Sequence, residues 1–289
     1  ANHWDADHDE QPQPPGHGAY AGSLGLCEFD DAIDGEHHHR DEQEHPEHTT
    51  ILAPGTRFSL PVLGSRRDRK AEVVTMSADV SRMLEGAAAL WLANGPAPRL
   101  PRDVGAVVQT SGTTGSARRV MLSRDALRAA AKAARERAGG DLTWHLALPG
   151  RYVAGLMVQV RSATAGRRTP VVPADLEGLA PTGDGDAISL VPTQLHRALQ
   201  DAAITKRLQA FDLILLGGAP LGNELRERAD DAGLAVVESY GMSETCGGVV
   251  WDGTPLPGVG VELRDGRVLI GGPTLFDGYG HERRCAAHQ

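Results

Sequence analysis

The spacing of hydrophobic positions changes near residue 104. From there to about residue 250, short apolar runs of strand length alternate with longer segments in which apolar residues recur at helical spacing. The predicted strands are Gly105–Gln109, Arg119–Leu122, Trp144–Leu148, Val171–Val172, Ile188–Val191, Leu213–Leu216 and Ala235–Glu238. The predicted helices run from the N-cap Ser123 to Ala138, over Val153–Ala165, from Pro192 onward, and over Leu221–Ala232. This alternation predicts an α/β fold, with a mostly parallel sheet flanked by helices.

The segments outside this alternation have other patterns. Residues 78–91 have apolar positions at helical spacing, and residues 96–101 contain three prolines that predict a rigid linker. Residues 51–76 are ambiguous, apart from one candidate strand near Phe58–Leu63. Three strand-length runs, separated by turn residues, predict a meander or a small C-terminal β-subdomain, and they are Val249–Trp251, Val259–Leu263 and Arg267–Ile270.

The first fifty residues differ in composition from the rest. The chain has a formal net charge of -9, but residues 1–50 contain 13 acidic residues and one basic residue, or 1 - 13 = -12, which leaves 28 - 25 = +3 elsewhere. Eight of the twelve histidines lie in this segment, including His37, His38 and His39. Because its apolar residues are few, it cannot bury enough surface to offset its ordering entropy, which predicts a disordered tail. A metal-binding tail is the alternative, although the histidines have no fixed ligand spacing.

These patterns divide the chain into a disordered tail (1–50), an irregular, partial N-terminal region (51–100), a core domain (101–280) and a second tail (281–289). The core is nearly neutral and has no long basic stripe, so nucleic acid is not an expected partner. No stretch approaches the roughly 20 apolar residues of a membrane span. Because the acidic N-terminus also lacks a signal-peptide pattern, we expect a cytoplasmic protein. Three widely separated cysteines predict free thiols.

A loop rich in glycine and hydroxyl side chains follows the first strand of the core. Glycine lets backbone N–H groups approach a phosphate closely, and hydroxyl groups donate further hydrogen bonds. Arg118 and Arg119, which follow the loop, can neutralise phosphate charge. The loop is not a P-loop, because no Lys-Ser/Thr pair closes it. A turn of this composition is a flexible connector about as often as it is a phosphate-binding loop. Its residues are Thr110, Ser111, Gly112, Thr113, Thr114 and Gly115.

Two further strand ends carry candidate ligand-binding residues. Residues 239–245 follow a predicted strand, at the edge of an α/β sheet where ligands bind. Here Tyr240 can stack on a base, Glu244 is a hard oxygen ligand suited to Mg²⁺, and Thr245 can bond to a phosphate oxygen. The turn 217–220 follows another strand, and its small residues leave space for a flat ring. An ordinary strand-end turn is the alternative for each.

The three elements, each after a predicted strand and in this order, resemble the nucleotide motifs of the adenylate-forming superfamily. That superfamily contains acyl-CoA synthetases, luciferases and nonribosomal adenylation domains, and the resemblance covers about residues 77–280. Within it, the chain is most similar to the short actinobacterial o-succinylbenzoate–CoA ligases of menaquinone biosynthesis. The stretches that carry this similarity are 146–149, 153–156, 160–162, 189–195, 240–248 and 269–273.

The resemblance implies a two-step reaction. A carboxylate attacks the α-phosphate of ATP to give an acyl-adenylate and diphosphate, and the thiol of coenzyme A then displaces AMP. It implies that residues 110–115 hold the outer phosphates, that Arg118 supplies positive charge, that Glu244 binds Mg²⁺ and that Thr245 binds the α-phosphate. The implied adenine slot is formed by Gly217, Gly218, Ala219, Tyr240 and Gly241.

The resemblance also implies that an aromatic acid with a second carboxylate lies near Tyr152, Gln194, Gly247 and Gly248. Three features depart from the family's pattern. The loop continues with Ala117 and Arg118 where the family usually has Pro-Lys, and Tyr152 stands where it commonly has His. The family's Arg-Thr-Gly-Asp segment and its lysine-bearing C-terminal domain have no counterpart, so we expect a truncated member. Two alternatives stay open for the function, namely a ligase for another aryl or acyl acid and an ATP-binding remnant without turnover. Assembly as a homo-oligomer also stays open.

Overall fold

The computed structural model describes residues 26–28, 77–110, 117–280 and 282–283. The predicted strand near Phe58–Leu63, most of the acidic tail and loop residues 111–116 therefore lie outside the described residues. The helices of the described part are α1 (77–84), α2 (Arg124–Arg137), α3 (Val153–Thr164), α4 (Pro192–Ala198), α5 (Ala202–Leu208) and α6 (Asn223–Asp231). The first seven strands are β1 (Leu26–Glu28), β2 (Leu90–Leu92), β3 (Val104–Gln109), β4 (Arg119–Ser123), β5 (Thr143–His145), β6 (Asp186–Leu190) and β7 (Leu213–Leu216). The later strands are β8 (Val236–Met242), β9 (Gly247–Trp251), β10 (Thr254–Pro255), β11 (Gly260–Arg264), β12 (Arg267–Gly271), β13 (Gly278–Tyr279) and β14 (Glu282–Arg283).

The largest sheet has six strands in the order β10-β9-β8-β7-β6-β5. Strands β5 to β8 are parallel, and β8, β9 and β10 pair antiparallel. The buried parallel strands are almost wholly apolar, as in the four leucine and isoleucine residues of β7. This sheet and its flanking helices confirm the α/β prediction. The carboxyl ends of β5 to β8 meet at one edge, where the candidate site begins.

A second sheet has the order β14-β13-β4-β3-β2, with β2 and β3 parallel and its other pairs antiparallel. Helix α2 packs on β3 and β4, whereas α3 packs on α2 and on β5, β6 and β9, so the two helices connect the two sheets. Helix α2 begins as predicted, because the Ser123 hydroxyl oxygen accepts the Ala126 N–H at 3.1 Å. In the described part of the chain, no helix has the length and hydropathy of a membrane span.

The third sheet has three antiparallel strands in the order β1-β12-β11. Its β11–β12 hairpin confirms the predicted small β-subdomain. Two details of the prediction were wrong. Residues 26–28, inside the segment predicted as disordered, form a strand paired with β12. Val249–Trp251 belongs to the large sheet as β9, because Val250 pairs with Tyr240 of β8.

The helix predicted over 78–91 is shorter in the structure. It ends at residue 84, and Gly86 follows with a φ of 103°, a left-handed conformation that glycine adopts readily. Leu90–Leu92 then forms strand β2 alongside β3. The predicted strand Ala235–Glu238 extends instead to Met242, so Tyr240 and Gly241 lie within β8.

Candidate functional site

Strands β3 and β4 hold the two ends of the candidate phosphate loop together. Gln109 pairs with Arg119 at the end of the ladder. Beyond it, the Thr110 N–H donates to the Arg118 carbonyl oxygen, and the Arg118 N–H donates to the Thr110 hydroxyl oxygen, both at 2.9 Å. The loop is therefore closed at its base by a pair of hydrogen bonds. The predicted phosphate ligands within the loop, which lie outside the described residues, are Ser111, Gly112, Thr113, Thr114 and Gly115.

Glu244 lies close to the exit of this loop. It sits in the 3₁₀ turn Ser243–Thr245, which follows β8, and it is 8% exposed. The hydroxyl of Tyr279 donates a hydrogen bond to the Glu244 Oε1 atom at 3.0 Å. The Arg118 guanidinium lies 5.1 Å from the centre of the same tyrosine ring. Thus the predicted metal ligand and the predicted phosphate-neutralising cation contact the same tyrosine side chain.

Sequence reasoning did not assign Tyr279 a role. It reaches the site because β13 pairs with β4, which sets Tyr279 opposite Val120. Burial raises the pKa of its phenol, and the nearby negative charge of Glu244 raises that pKa further, whereas Arg118 lowers it. The only signal in the sequence was the Gly278–Tyr279 pair near the end of the family resemblance, and nothing in its spacing points to Glu244.

Thr245 is fully buried beside Glu244. Its hydroxyl oxygen accepts the Met242 N–H at 3.0 Å and lies 2.7 Å from the Gly247 carbonyl oxygen, to which it can donate. Cys246 has a φ of 56°, a left-handed conformation that is uncommon for a residue with a side chain. The threonine hydroxyl thus stabilises a strained turn between β8 and β9, and its contact with phosphate stays a prediction.

Glycines on both sides of this turn allow β8 and β9 to approach closely. A Cβ atom on Gly241 would lie 2.1 Å from the Gly247 carbonyl oxygen, so a larger residue does not fit. A Cβ atom on Gly247 would lie 3.6 Å from Met157, which places helix α3 beside this turn. The structure thus brings Gly247, a predicted substrate residue, against the helix that Tyr152 precedes, whereas Gly248 packs against Ser239 of β8.

The predicted adenine residues lie at the carboxyl ends of β7 and β8. The Gly217 N–H donates to the Leu190 carbonyl oxygen at 3.2 Å, and a Cβ atom on Gly217 would come within 3.2 Å of the Ser239 carbonyl oxygen. Gly218 and Ala219 are exposed, and Tyr240 is 40% exposed. Glycine at position 217 therefore allows the backbones at the ends of β7 and β8 to approach closely. The contact of these residues with an adenine ring stays a prediction.

The remaining predicted substrate residues differ in exposure. Tyr152 is 42% exposed, and the Arg151 guanidinium lies 5.0 Å from its ring centre. Gln194 is buried, and its amide donates to the carbonyl oxygens of Ala147 at 3.1 Å and Ala174 at 3.0 Å. The side-chain oxygen of Gln194, Oε1, accepts the Val191 N–H at 3.0 Å. These bonds give Gln194 a structural role, so its contact with substrate stays a prediction.

Arg161 of helix α3 is a buried cation that sequence reasoning left without a role. Its guanidinium lies 4.5 Å from the ring centre of Trp144, and burial lowers its pKa to about 10. Within the described part of the chain, its Nε atom has no hydrogen-bond partner and no carboxylate forms an ion pair with it. Arg161 lies two turns of α3 beyond Val153 and one turn beyond Met157. A buried, unpaired guanidinium is costly, so it is a candidate for binding an anion.

A sequence model described as "AMP-binding enzyme" matches residues 30–279. The chain belongs to this family of AMP-binding enzymes. The match includes all three candidate nucleotide elements, at 110–116, 217–220 and 239–245.

Among AMP-binding enzymes, the chain is similar to curated ligases. It is 46% identical over 191 residues to a protein of Mycobacterium tuberculosis named "Probable 2-succinylbenzoate--CoA ligase", over 61% of this chain and 49% of the relative. It is 30% identical over 210 residues to the 2-succinylbenzoate--CoA ligase of Escherichia coli, over 68% of this chain and 44% of the relative. The chain spans about half the length of the curated relatives it matches.

Solved structures of AMP-binding enzymes share the fold. The o-succinylbenzoate CoA synthetase of Bacillus subtilis, in complex with its acyl-adenylate intermediate, has a TM-score of 0.54 and 25% identity, and the similarity covers 62% of this chain and 42% of that one. The same synthetase with ATP and magnesium has a TM-score of 0.56 at 22% identity, covering 71% and 55%, and it supports the fold alone.

Proposed function

We propose that this chain is the nucleotide-binding part of an ATP-dependent acyl-CoA ligase, with o-succinylbenzoate as the acid. A carboxylate of the acid attacks the α-phosphate of ATP, which gives the acyl-adenylate and releases diphosphate. The thiol of coenzyme A then attacks the acyl carbon and releases AMP. Family membership and the names of the curated relatives support this class of reaction.

The observation that carries the proposal is the placement of Arg118 and Glu244 around one tyrosine at the exit of the phosphate loop. The first step brings a carboxylate towards a polyanion, so it needs positive charge at the phosphates before anything else. Arg118 supplies such a charge directly. Glu244 supplies it indirectly, because its carboxylate can hold a divalent cation against the phosphates.

The donor set fits Mg²⁺ bound together with a nucleotide. Mg²⁺ is usually held by one or two carboxylates together with substrate phosphates and waters, rather than by an all-protein cage. Among the described residues, no group of three or more His, Cys, Asp or Glu side chains could hold a metal ion, and Glu244 is the carboxylate at the loop exit. Bound Mg²⁺ would neutralise charge on the phosphates.

We assign the adenine to the carboxyl edge of the large sheet, beside the ends of β7 and β8. Gly217, Gly218 and Ala219 would lie against one side of the ring, and Tyr240 and Gly241 against the other, because Gly218, Ala219 and Tyr240 are exposed at this edge. Residues 110–115 would bind the outer phosphates. We retain the predicted contact of Thr245 with the α-phosphate, which requires its hydroxyl to leave the Gly247 carbonyl.

The acid would lie along helix α3, between Tyr152 at its start and the Gly247–Gly248 turn. The Met157 side chain faces that turn, and Arg161 lies one helical turn deeper. An acid with two carboxylates leaves one of them unreacted, and that group needs a positive partner in a buried site. Arg161 is buried and has no carboxylate partner among the described residues, so we assign it to the second carboxylate. Gln194 would contribute by holding the chain segments behind the pocket.

Release of diphosphate tests the proposal. The chain is incubated with ATP, Mg²⁺ and o-succinylbenzoate, then with the analogue that lacks the aromatic carboxylate, and then with a panel of aryl and acyl acids. Release with o-succinylbenzoate and much less with the analogue supports the proposal. Release only with another acid overturns the substrate assignment. Binding of ATP without release for any acid overturns the ligase assignment in favour of nucleotide binding alone.

Glu244→Gln is the matched variant for the metal. It keeps the size of the side chain and an acceptor for Tyr279 but removes the negative charge. We expect its diphosphate release to lose its dependence on Mg²⁺ or to disappear. Wild-type dependence on Mg²⁺ in this variant would contradict the role of Glu244. We further propose that residues 101–280 form the adenylation core and that the protein acts in the cytoplasm. We also propose assembly as a homo-oligomer, which analytical ultracentrifugation would test.

A further inference from the structure

Tyr279 is held in place by its backbone on both sides. The Asp277 N–H donates to the Met121 carbonyl oxygen at 2.9 Å, and the Gly280 N–H donates to the Arg119 carbonyl oxygen at 2.8 Å. These bonds attach the segment to β4, the strand that leaves the phosphate loop. The tyrosine Cα atom therefore has a fixed position relative to the loop exit.

The same segment is attached to the turn that carries Glu244. The Phe276 N–H donates to the Glu244 carbonyl oxygen at 2.8 Å, and the Phe276 and Tyr279 rings lie 4.9 Å apart. Tyr279 thus connects two elements that are distant in sequence, namely the end of the loop and the turn after β8. Its side chain is oriented by packing as well as by hydrogen bonding.

The position of the ring between two opposite charges is the informative feature. Arg118 contacts the ring and Glu244 accepts from the hydroxyl, yet the ion pairs among the described residues do not include one between Arg118 and Glu244. A direct ion pair would use the carboxylate that a metal needs and the guanidinium that a phosphate needs. Arg118 is attracted to the ring and to the phenol oxygen of Tyr279, and it makes these contacts without pairing with the Glu244 carboxylate.

We propose that Tyr279 is a positioning residue that orients the Glu244 carboxylate for a divalent cation and keeps it apart from Arg118. The inference rests on the proposed function, because it assumes that Glu244 and Arg118 serve the metal and the phosphates of ATP. Tyr279 itself need not contact the nucleotide. A hydrogen-bond donor to a metal-binding carboxylate restricts that carboxylate to one orientation, and such outer partners commonly change metal affinity by about 10- to 100-fold.

Two variants separate the hydroxyl from the ring. Tyr279→Phe keeps the ring between the charges but removes the hydrogen bond to Glu244, and we expect the Mg²⁺ concentration for half-maximal ATP binding to rise about 10-fold. Tyr279→Leu removes both features and lets Arg118 approach Glu244. We expect a larger rise, together with weaker ATP binding even at saturating Mg²⁺. Calorimetric titration of ATP at a series of Mg²⁺ concentrations measures both quantities.

Phe211→Leu is the control for a purely structural effect. Phe211 is buried and packs on His145, away from the loop exit, so its loss lowers the melting temperature without touching the candidate site. We expect this variant to keep the wild-type Mg²⁺ dependence. If the Tyr279 variants are destabilised to a similar extent and also keep that dependence, the positioning role is overturned.

The same titrations separate failure of this inference from failure of the proposed function. If the wild type does not bind ATP at any Mg²⁺ concentration, the proposed function is overturned. If the wild type binds ATP with Mg²⁺ dependence and both Tyr279 variants keep that dependence unchanged, only the positioning role of Tyr279 is overturned.

Discussion

Thr110 and Arg118 are hydrogen-bonded to each other twice, each through its backbone N–H, at 2.9 Å in both directions. One of these bonds is accepted by a backbone carbonyl oxygen, so it does not depend on which side chain residue 118 carries. The other ends on the Thr110 hydroxyl and requires an oxygen at that position. The pair fixes the distance between the two ends of the phosphate loop and presents Arg118 at its exit.

Thr110→Val should therefore weaken ATP binding without unfolding the protein. The isosteric change removes one hydrogen bond, worth about 0.5–1.5 kcal/mol, and loosens the base of the loop. We expect the Kd for ATP to rise about 2- to 10-fold. Thr110→Ser, which keeps the hydroxyl, should restore the wild-type value. Equal ATP affinity for the wild type and the valine variant would show that the hydroxyl does not order the loop.

Thr245 allows a test of whether its hydroxyl serves the turn or the nucleotide. Thr245→Val leaves the half-buried Met242 N–H without its acceptor, which costs about 0.5–1.5 kcal/mol. We expect that loss in the unfolding free energy of the nucleotide-free protein, measured by denaturant titration. Thr245→Ser should retain most of the stability. Unchanged stability in the valine variant, with a loss only of ATP affinity, would show that the phosphate is the main partner of this hydroxyl.

The large sheet and its neighbouring helices could be predicted because their signals are local. Leu213–Leu216 is an uninterrupted apolar run, and the structure gives β7 those bounds. The failures occurred where long-range pairing decides the structure. Helical spacing continues through Trp91, but the left-handed conformation of Gly86 ends the helix and pairing with β3 makes Leu90–Leu92 a strand. Similarly, nothing within residues 26–28 indicates a strand, which forms by pairing with β12.

The candidate site follows the same rule. Glu244 could be predicted because it lies within a short motif at the end of a strand. Tyr279 could not, because its contact with Glu244 depends on the pairing of β13 with β4 and joins residues 35 positions apart. Gln194 was predicted from a local stretch, yet its hydrogen bonds reach the distant carbonyls of Ala147 and Ala174. Sequence motifs predict the chemistry of this candidate site, whereas the sheet registers determine which side chains meet.

Arg161→Met should stabilise the protein and impair selection of a dicarboxylate. A buried cation with no ion-pair partner carries a desolvation cost, and replacing buried charges with apolar residues often stabilises proteins by about 1–4 kcal/mol. The lost contact with Trp144 offsets part of this gain, by roughly 0.5–2 kcal/mol. We expect a higher melting temperature and a KM for o-succinylbenzoate raised at least about 10-fold. The analogue without the aromatic carboxylate should be used as well as by the wild type.

Arg135→Met is the control for this variant. Arg135 is largely exposed and pairs with Asp141 at 2.6 Å at the end of α2, so its replacement should change stability by less than about 1 kcal/mol and leave substrate selection unchanged. If Arg161→Met is destabilised and keeps the preference of the wild type for the dicarboxylate, Arg161 is a structural residue.

Asp186 should make the stability of the fold depend on pH below the usual titration range of aspartate. Its fully buried carboxylate accepts hydrogen bonds from the N–H groups of Thr182 at 2.7 Å and Gly183 at 2.8 Å, and it lies 2.7 Å from His145 Nε2. Burial alone would raise its pKa, but the hydrogen bonds from His145, Thr182 and Gly183 together hold the pKa below its ordinary value. Because the folded state favours the ionised form, the stabilisation is fully present above about pH 4 and is lost as the pH falls through the depressed pKa of the folded protein.

Asp186→Asn removes this titration. At pH 7 we expect the variant to be less stable than the wild type by about 2–4 kcal/mol, because the asparagine cannot supply the charge that these donors face. The difference should shrink as the pH falls below about 4, since the wild-type carboxylate then becomes neutral as well. Denaturant titrations between pH 2 and pH 7 measure it. Asp184→Asn, at an exposed partner of Arg167, should stay within about 1 kcal/mol of the wild type throughout. A constant gap between the Asp186→Asn variant and the wild type over this range would mean that Asp186 contributes through packing and neutral hydrogen bonds, and that its ionisation does not stabilise the fold.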